Sequence, residues 1–247
     1  MYHNKFIVFI ILLFIFLVGC EMEELNNKSE NTLEFTNIDI NQLIGVNYKD
    51  VEKMYGYPYK AIFYLNKDDF NMKAINNITI RDFYHNSIVE ASYKNSSDFN
   101  SYINLSYKYG KVIDATYDNM DVINYTKILE EDELIDCDYK IELFKNFDSI
   151  PYNKFNLTIC QNNLKGKDIN DFNKEYNIEY PNYVANDTIT NKKLYFYPLT
   201  KNDSQDHINM ALVYTINNKI KNIEIIDKKI TCELIIEYFL NTKKYMH

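Results

Sequence analysis

The chain has 247 residues, 46% of them hydrophobic and 15% aromatic, which is enough apolar surface for a folded core and argues against wholesale disorder. Its formal net charge is −8 and Arg81 is its single arginine, so it lacks the clustered cations that bind nucleic-acid phosphates. We therefore expect no nucleic-acid partner. The excess of Asn, Lys, Ile and Tyr follows the codons of an AT-rich genome, so the number of tyrosines alone indicates nothing about function.

The N-terminus has the pattern of an export signal. Residues 6–19 are fourteen consecutive positions without a polar side chain, preceded by Lys5 and followed by an acidic stretch. A helix that crosses a bilayer needs about 20 apolar residues, so this run is too short to span and has the length of a signal-peptide core. We predict that residues 1–19 are a signal peptide and that residues 20–33 form a solvated tether.

The end of this run, Leu17-Val18-Gly19-Cys20, resembles the lipobox of bacterial lipoproteins. The resemblance implies that Cys20 becomes the first residue and carries acyl chains such as palmitate. Two or more chains give stable attachment, since each buried CH₂ contributes about 0.8 kcal/mol. The protein would then be held by lipid in the cell envelope, facing the periplasm or the cell exterior, with inner and outer membrane both open. An uncleaved N-terminal helix with an incidental cysteine is the alternative.

The chain beyond the signal contains an internal repeat. Residues 43–56 align without gaps with residues 164–177, and five of the aligned positions are identical. Each copy has a good N-cap residue, Asn47 or Asp168, then apolar residues at helical spacing, and then a residue that readily takes a left-handed conformation. The pattern predicts the same capped helix twice, with a chance match as the other explanation.

After each helix the sequence changes to β-branched and aromatic segments, and each copy ends in a tight hairpin followed by a helix. We predict an α+β fold of two tandem repeats, repeat 1 at 34–130 and repeat 2 at 155–247, joined by an acidic linker at 131–154. Alternating apolar residues at 139–143 are also compatible with a strand inside the linker. The predicted strands are Ala61–Leu65, Ile78–Tyr84, Ile88–Tyr93, Ile103–Tyr107, Val112–Tyr117, Leu194–Leu199, Ile208–Ile216 and Ile220–Ile226. The predicted closing helices run from about Asp121 to Glu130 and along the stripe Cys232, Ile235, Ile236 and Phe239.

The repeated helix resembles a Gly-x-(Ser/Thr)-x-x-x-Val-x-x-x-x-Gly-x-Pro signature. It is found in the small outer-membrane lipoprotein of the β-barrel assembly machinery and in the β-lactamase inhibitory proteins, themselves tandem repeats. Gly45, Val51, Gly56 and Pro58 fit it, and Asn47 takes the hydroxyl position, whereas the second copy departs at the second glycine and the proline. The resemblance implies helices on one face of an antiparallel sheet and protein–protein binding rather than catalysis.

The residues that usually carry chemistry form no recognisable motif. His85, His207 and His247 lack zinc-ligand spacing, and the glycines after the signal are too far apart for a phosphate loop. We therefore predict no metal, no cofactor and no catalytic residue. A pair of carboxylates that converges only in the folded chain would not be visible in the sequence. The exported chain also keeps an odd number of cysteines, which leaves at least one free thiol; they are Cys137, Cys160 and Cys232.

The loops that follow the two repeated helices carry aromatic residues, and we predict Tyr57, Tyr59, Tyr180 and Tyr183 as candidate binding residues. Tyrosines are enriched where protein interfaces gain most of their energy, although these four could also simply pack on the sheet. The leading hypothesis is a lipid-anchored, non-enzymatic binding or envelope-assembly module with an envelope protein partner. The alternatives are a carboxylate-dependent envelope glycan hydrolase and a receptor that holds a solute between two lobes.

Overall fold

The computed structural model describes residues 39–66, 80–85, 87–94, 101–129, 135–200, 207–226, 235 and 238–239. Within these residues there are four continuous α-helices and ten strands, besides the helical residues 235, 238 and 239. The helices are α1 (Tyr48–Tyr55), α2 (Val122–Ile128), α3 (Leu157–Leu164) and α4 (Ile169–Tyr176). The strands are β1 (Lys60–Leu65), β2 (Ile88–Lys94), β3 (Tyr102–Lys108), β4 (Lys111–Asp118), β5 (Tyr139–Phe144), β6 (Ile150–Pro151), β7 (Tyr183–Asp187), β8 (Lys192–Thr200), β9 (His207–Ile216) and β10 (Lys219–Ile226).

All ten strands belong to one sheet in the order β10-β9-β8-β7-β5-β1-β2-β3-β4, with β6 beside β8. Every pair is antiparallel except β6 with β8. Strand β5 lies at the centre, between a β1–β4 meander on one side and a β7–β10 meander on the other. The fold is therefore α+β, as the sequence predicts, and it is dominated by the sheet.

The two helices predicted from the repeat are present with the predicted caps. The side chain of Asn47 accepts the N–H of the second residue of α1, and α1 ends before Gly56, whose φ is 73°. In α4 the side chain of Asp168 caps the helix reciprocally with Asp171, and Asn177 closes it in the left-handed region with φ 53° and ψ 52°. These caps satisfy backbone groups that a short helix cannot pair internally.

Each helix is joined to the last hairpin of its own half by matching hydrogen bonds. The amide of Gly45 donates to the carbonyl of Val112, and the amide of Gly166 donates to that of Ile220, both at 2.8 Å. The first residue of each helix also donates to a carbonyl in the corresponding hairpin turn, at 2.9 Å for α1 and 3.0 Å for α4. The residues between glycine and helix thus pair with the edge strands β4 and β10.

The helices cover both faces of the sheet. Helix α1 packs on the face that contains Phe63, Leu105 and Phe196, which we call face 1. Helix α2 packs on the opposite face around Ile62, and α3 and α4 pack farther along that face around Tyr197. We call it face 2. Since side chains alternate along a strand, neighbouring residues of β1 contribute to the two different cores.

Other predicted elements have mixed outcomes. The strand predicted at Ile78–Tyr84 is wrong, because Ile80–His85 is a 3₁₀-helix. Phe83 and Tyr84 are adjacent and both buried, an arrangement that a helical turn permits and an alternating strand does not. The closing helix after Asp121 is confirmed as α2, and the strand within the predicted linker is confirmed as β5. Helix α3 and strand β7 were not predicted.

The remaining predictions concern the two ends of the chain. Ile235, Tyr238 and Phe239 are helical and buried on face 1, in agreement with the predicted C-terminal helix, whereas Cys232 and Ile236 lie outside the described residues. The predicted signal peptide, Cys20 and the tether at 20–33 also lie outside them. Among the helices that the structure describes, none is both long and apolar enough to cross a membrane.

Candidate binding site

Two of the predicted tyrosines come together at the end of β5. Tyr59 directly precedes β1, and Tyr180 lies in the loop before β7; both strands pair with β5. The amide of Lys145, just after β5, donates to the carbonyl of Tyr59 at 2.9 Å, and the amide of Phe144 donates to that of Asn182 at 3.0 Å. The central strand therefore holds the two loops, which are far apart in the sequence, side by side.

A buried lysine lies beneath these rings. The Nζ atom of Lys60 is 4.6 Å from the ring centre of Tyr180, 5.6 Å from that of Tyr59 and 5.7 Å from that of Phe144. The same atom is 2.9 Å from Oδ2 of Asp121, and the two side chains are 3% and 2% exposed. Ring faces attract a cation, and the carboxylate neutralises its charge, so the amino group is held although water is excluded.

Asp121 is itself fixed by the start of α2. It is the N-cap residue, and its Oδ1 accepts the amides of Ile123 at 3.1 Å and Asn124 at 3.0 Å. Nearby, the hydroxyl of Ser92 on β2 accepts the amide of Val122 at 2.8 Å and lies 2.7 Å from Oδ1 of Asn104. The ion pair thus links the first residue of β1 to α2, and side-chain hydrogen bonds to β2 and β3 keep the helix terminus in place.

A third tyrosine extends the aromatic surface. The ring centres of Tyr59 and Tyr102 are 6.0 Å apart, and Nζ of Lys94 is 5.1 Å from the Tyr59 ring. The rings of Tyr59, Tyr102 and Tyr180 are all partly buried, so each keeps an exposed portion. We call these three residues the tyrosine cluster. The sequence did not identify Tyr102 as a candidate, because the tyrosines beside it in the structure lie far from it in the sequence.

The phenols of the tyrosine cluster hold their protons firmly. Burial, helped by a hydrogen bond to Glu179, raises the pKa of Tyr180 to about 12. Burial and the charge of Asp121 raise the pKa values of Tyr59 and Tyr102 above the ordinary value for tyrosine. All three hydroxyls are therefore neutral near pH 7, where each can both donate and accept a hydrogen bond.

The other two predicted tyrosines lie elsewhere. Tyr183 is opposite Leu143 and packs against the core of face 1, on the other side of the sheet from Lys60. Tyr57 is partly buried in the turn between α1 and β1. Of the four predicted tyrosines, only Tyr59 and Tyr180 therefore lie together in the structure.

Face 2 also carries two glutamates, one on each side of Ile62. Glu90 and Glu142 are both register partners of this residue, on β2 and β5. The hydroxyl of Tyr64 donates to Oε2 of Glu90 at 2.7 Å, and Nζ of Lys140 is 3.3 Å from Oε1 of Glu142. Burial raises the pKa of Glu90, although the bond from Tyr64 partly opposes this effect. Each carboxylate thus has a partner within the sheet.

Among the residues that the structure describes, no three His, Cys, Asp or Glu side chains converge as a metal site would require. Cys137 and Cys160 are free thiols, and Cys160 Sγ lies 2.6 Å from the hydroxyl of Tyr176. Burial is the main reason that the pKa of the Cys137 thiol is raised, which lowers its reactivity.

Comparisons with known proteins identify no family for this chain. No protein-family model matches the chain, and no curated protein matches it. One solved structure that does match is a Streptococcus mutans protein described as a "putative beta-lactamase inhibitor protein". The match covers 81% of this chain and 89% of that one, with 12% identity and a TM-score of 0.24. A TM-score of this size does not establish a common fold.

Proposed function

We propose that this chain is a lipid-anchored, non-enzymatic binding protein of the bacterial cell envelope and that the tyrosine cluster is its binding surface for a protein partner. The observation that carries the proposal is the assembly of Tyr59, Tyr102 and Tyr180 above the buried Lys60–Asp121 pair. Rigid, partly exposed tyrosines offer a large contact area at a small entropic cost, which is the property that interface hot spots share.

The chemistry of the cluster supports binding over catalysis. The amino group of Lys60 lies under aromatic rings and against a carboxylate, so a substrate has no direct path to it. The raised pKa values of the tyrosines leave neutral phenols, which are poor nucleophiles at pH 7. Neutral hydroxyls on apolar rings are instead well suited to forming hydrogen bonds at a protein interface.

We further propose that the two halves are tandem repeats related by a rotation about the axis of β5. Such a rotation would exchange the β1–β4 and β7–β10 meanders and would also exchange the faces of the sheet. The placement of α1 on face 1 and α4 on face 2 supports it, as do the matching bonds of Gly45 and Gly166. The cluster would then lie where the two repeats meet.

The anchor is tested by Cys20→Ser. We expect the native chain to lose its leader, gain the mass of acyl chains and fractionate with membranes. The variant should lack the acyl mass and the cleavage at Cys20. Intact-mass spectrometry of both proteins, together with membrane fractionation, provides the measurement. A variant that remains in the membrane fraction at an unchanged mass would contradict the anchor.

The binding surface is tested by crosslinking and pull-down from intact cells with the native lipidated protein. Tyr59→Ala and Tyr180→Ala should each reduce recovery of the partner at least tenfold, because removing a hot-spot ring costs about 2 kcal/mol or more. The matched control is Tyr117→Ala, since Tyr117 is 49% exposed and is the register partner of Ile103, which lies on face 1, the opposite face from Lys60. Equal recovery with all three variants argues against the cluster. Saturable binding of a sugar or small molecule, with no protein recovered, argues against the proposed function.

A further inference from the structure

The hairpin between β3 and β4 ends in an exposed and strained tyrosine. Tyr109 has a φ of 52° and is 70% exposed, and Gly110 follows it with a φ of 74°. A bulky residue with positive φ is a genuine outlier, and such strain is usually retained where it serves a function. The corresponding hairpin between β9 and β10 uses Asn217-Asn218, which suit this backbone far better.

Three lysines and a histidine lie at or beside this turn. Nζ of Lys108 is 5.6 Å from the Tyr109 ring, and Lys111 is the register partner of Lys108. Lys49 extends over Tyr48, whose amide donates to the carbonyl of Gly110. His85 is so close to the turn that a Cβ placed on Gly110 would lie 3.0 Å from its Nδ1. We call Lys49, His85, Lys108, Tyr109 and Lys111 the hairpin patch; all five are exposed.

Within the described part of the chain, no acidic side chain pairs with the three lysines of the hairpin patch. Among the described residues, no carboxylate lies within 4.0 Å of any of them, and Asp50 is engaged by Lys53 at 3.0 Å. In the other half, the corresponding Lys219 lies 3.5 Å from Asp168. The first half has the neutral Asn47 in the position of Asp168, so Lys111 has no such partner. The patch is therefore a local cationic site on a chain whose net charge is −8.

We propose that the hairpin patch contacts the anionic surface of the membrane, with Tyr109 among the lipid head groups and the lysines facing the lipid phosphates. This inference rests on the proposed lipid anchor and adds an orientation to it. Tyrosine prefers the interface between water and lipid, and lysines near an anionic leaflet each add attraction. One hairpin tip is too small for a stable protein interface, which buries roughly 1,200 Å² or more.

The length of the proposed tether permits this contact. The described chain begins at Asp39, and Gly45 is already paired with Val112, next to Lys111 of the patch. The nineteen-residue step from Cys20 to Asp39 spans at most about 65 Å when fully extended, so the patch is within reach of the bilayer. Because the chain as a whole is acidic, an anionic leaflet would repel it elsewhere and favour approach through the patch.

The absence of tryptophan from the chain permits a direct test. Tyr109→Trp in the lipidated full-length product provides one fluorescent reporter at the hairpin tip, and Asn217→Trp provides an equally strained control at the other hairpin. Both proteins are reconstituted into vesicles of phosphatidylcholine alone or mixed with phosphatidylglycerol. We expect a blue-shifted emission and quenching by brominated acyl chains for Tyr109→Trp only, in the anionic vesicles only, and reversed by salt near 1 M.

A second set of variants separates this proposal from the anchor. Replacing Lys49, Lys108 and Lys111 with glutamine in the Tyr109→Trp protein should abolish the blue shift while the protein still sediments with vesicles. Failure to sediment with phosphatidylcholine vesicles would contradict the lipid anchor and not the patch. An unchanged Tyr109→Trp spectrum in anionic vesicles, an equal shift in both vesicle types, or a shift that requires an added envelope protein would each overturn the proposed membrane contact.

Discussion

Replacing Asp121 with asparagine removes the negative member of the buried ion pair while retaining its shape and its capping role. Asparagine is as good an N-cap as aspartate, so the bonds from the amides of Ile123 and Asn124 can persist. The charge of Lys60 would then be buried against ring faces and a neutral amide. Breaking a buried pair from one side costs about 3–5 kcal/mol, and we expect Asp121→Asn to lower the free energy of unfolding by that amount.

The opposite change should cost less, and the double change should cost least. In Lys60→Met, Asp121 keeps two backbone amides as donors, so we expect a loss of about 1–3 kcal/mol. With both changes no charge remains buried, and stability should return to within about 1 kcal/mol of the original, because an apolar replacement of a buried pair is often neutral. The predicted coupling between the two sites is therefore several kcal/mol.

Urea unfolding of the detergent-solubilised protein, followed by tyrosine fluorescence and circular dichroism, measures these differences. The control is Asp50→Asn, which breaks a pair whose side chains are 77% and 58% exposed and should cost less than about 1 kcal/mol. If Asp121→Asn costs no more than this control, or if the losses in the double variant simply add, then the Lys60–Asp121 pair is not the constraint that holds α2 on β1.

Three further changes test other parts of the fold. Burial raises the pKa of Glu90 in the folded state above its value in the unfolded chain. The contribution of Glu90 to stability is therefore lost as the pH rises from the unfolded-state pKa through the folded-state pKa. Glu90→Gln should flatten this part of the pH profile and increase stability at pH 7, as measured by urea unfolding across pH. Asn177→Gly should stabilise the end of α4 by about 0.5 kcal/mol, since glycine takes the left-handed conformation without strain; the measurement is the urea midpoint, and a decrease would contradict it. Tyr109→Asn should raise stability by about 1 kcal/mol by relieving strain, because asparagine tolerates a positive φ; the urea midpoint measures the change, and a decrease would argue against strain at this turn.

The capped helices were predictable because their signals are local. Asn47 and Asp168 satisfy amides within the next turn, and Asn177 sits at a backbone position that few residues tolerate. The sequence pattern predicted a strand where Ile80–His85 forms a 3₁₀-helix. Its aromatic residues are buried by contacts with elements that are distant in the sequence. Tyr84, for example, stacks on Tyr48 of α1 with ring centres 4.3 Å apart. Nothing in the local sequence encodes that contact.

The candidate site was only partly predictable for a related reason. Tyr59 and Tyr180 stood out as loop aromatics after the repeated helices, yet their convergence depends on the insertion of β5 between β1 and β7. Lys60 appeared to be an ordinary first residue of a strand, and Asp121 an ordinary helix cap. Their pairing joins residues 60 and 121, which only the register of the sheet and the packing of α2 on it could bring together.

The central position of β5 has a consequence for how the chain is made. The β1–β4 meander is complete by residue 118, but the second edge of β1 remains unpaired until residues 139–144 arrive. All six residues of β1 are buried in the folded protein. Until β5 is added, the unpaired edge of β1 can form hydrogen bonds with a strand from another chain. A nascent copy whose own β5 is delayed could accept the same strand from a neighbour, producing an exchanged dimer with native hydrogen bonds. If the chain is exported as we propose, a holdase that shields this edge until synthesis has passed Phe144 would prevent such an exchange.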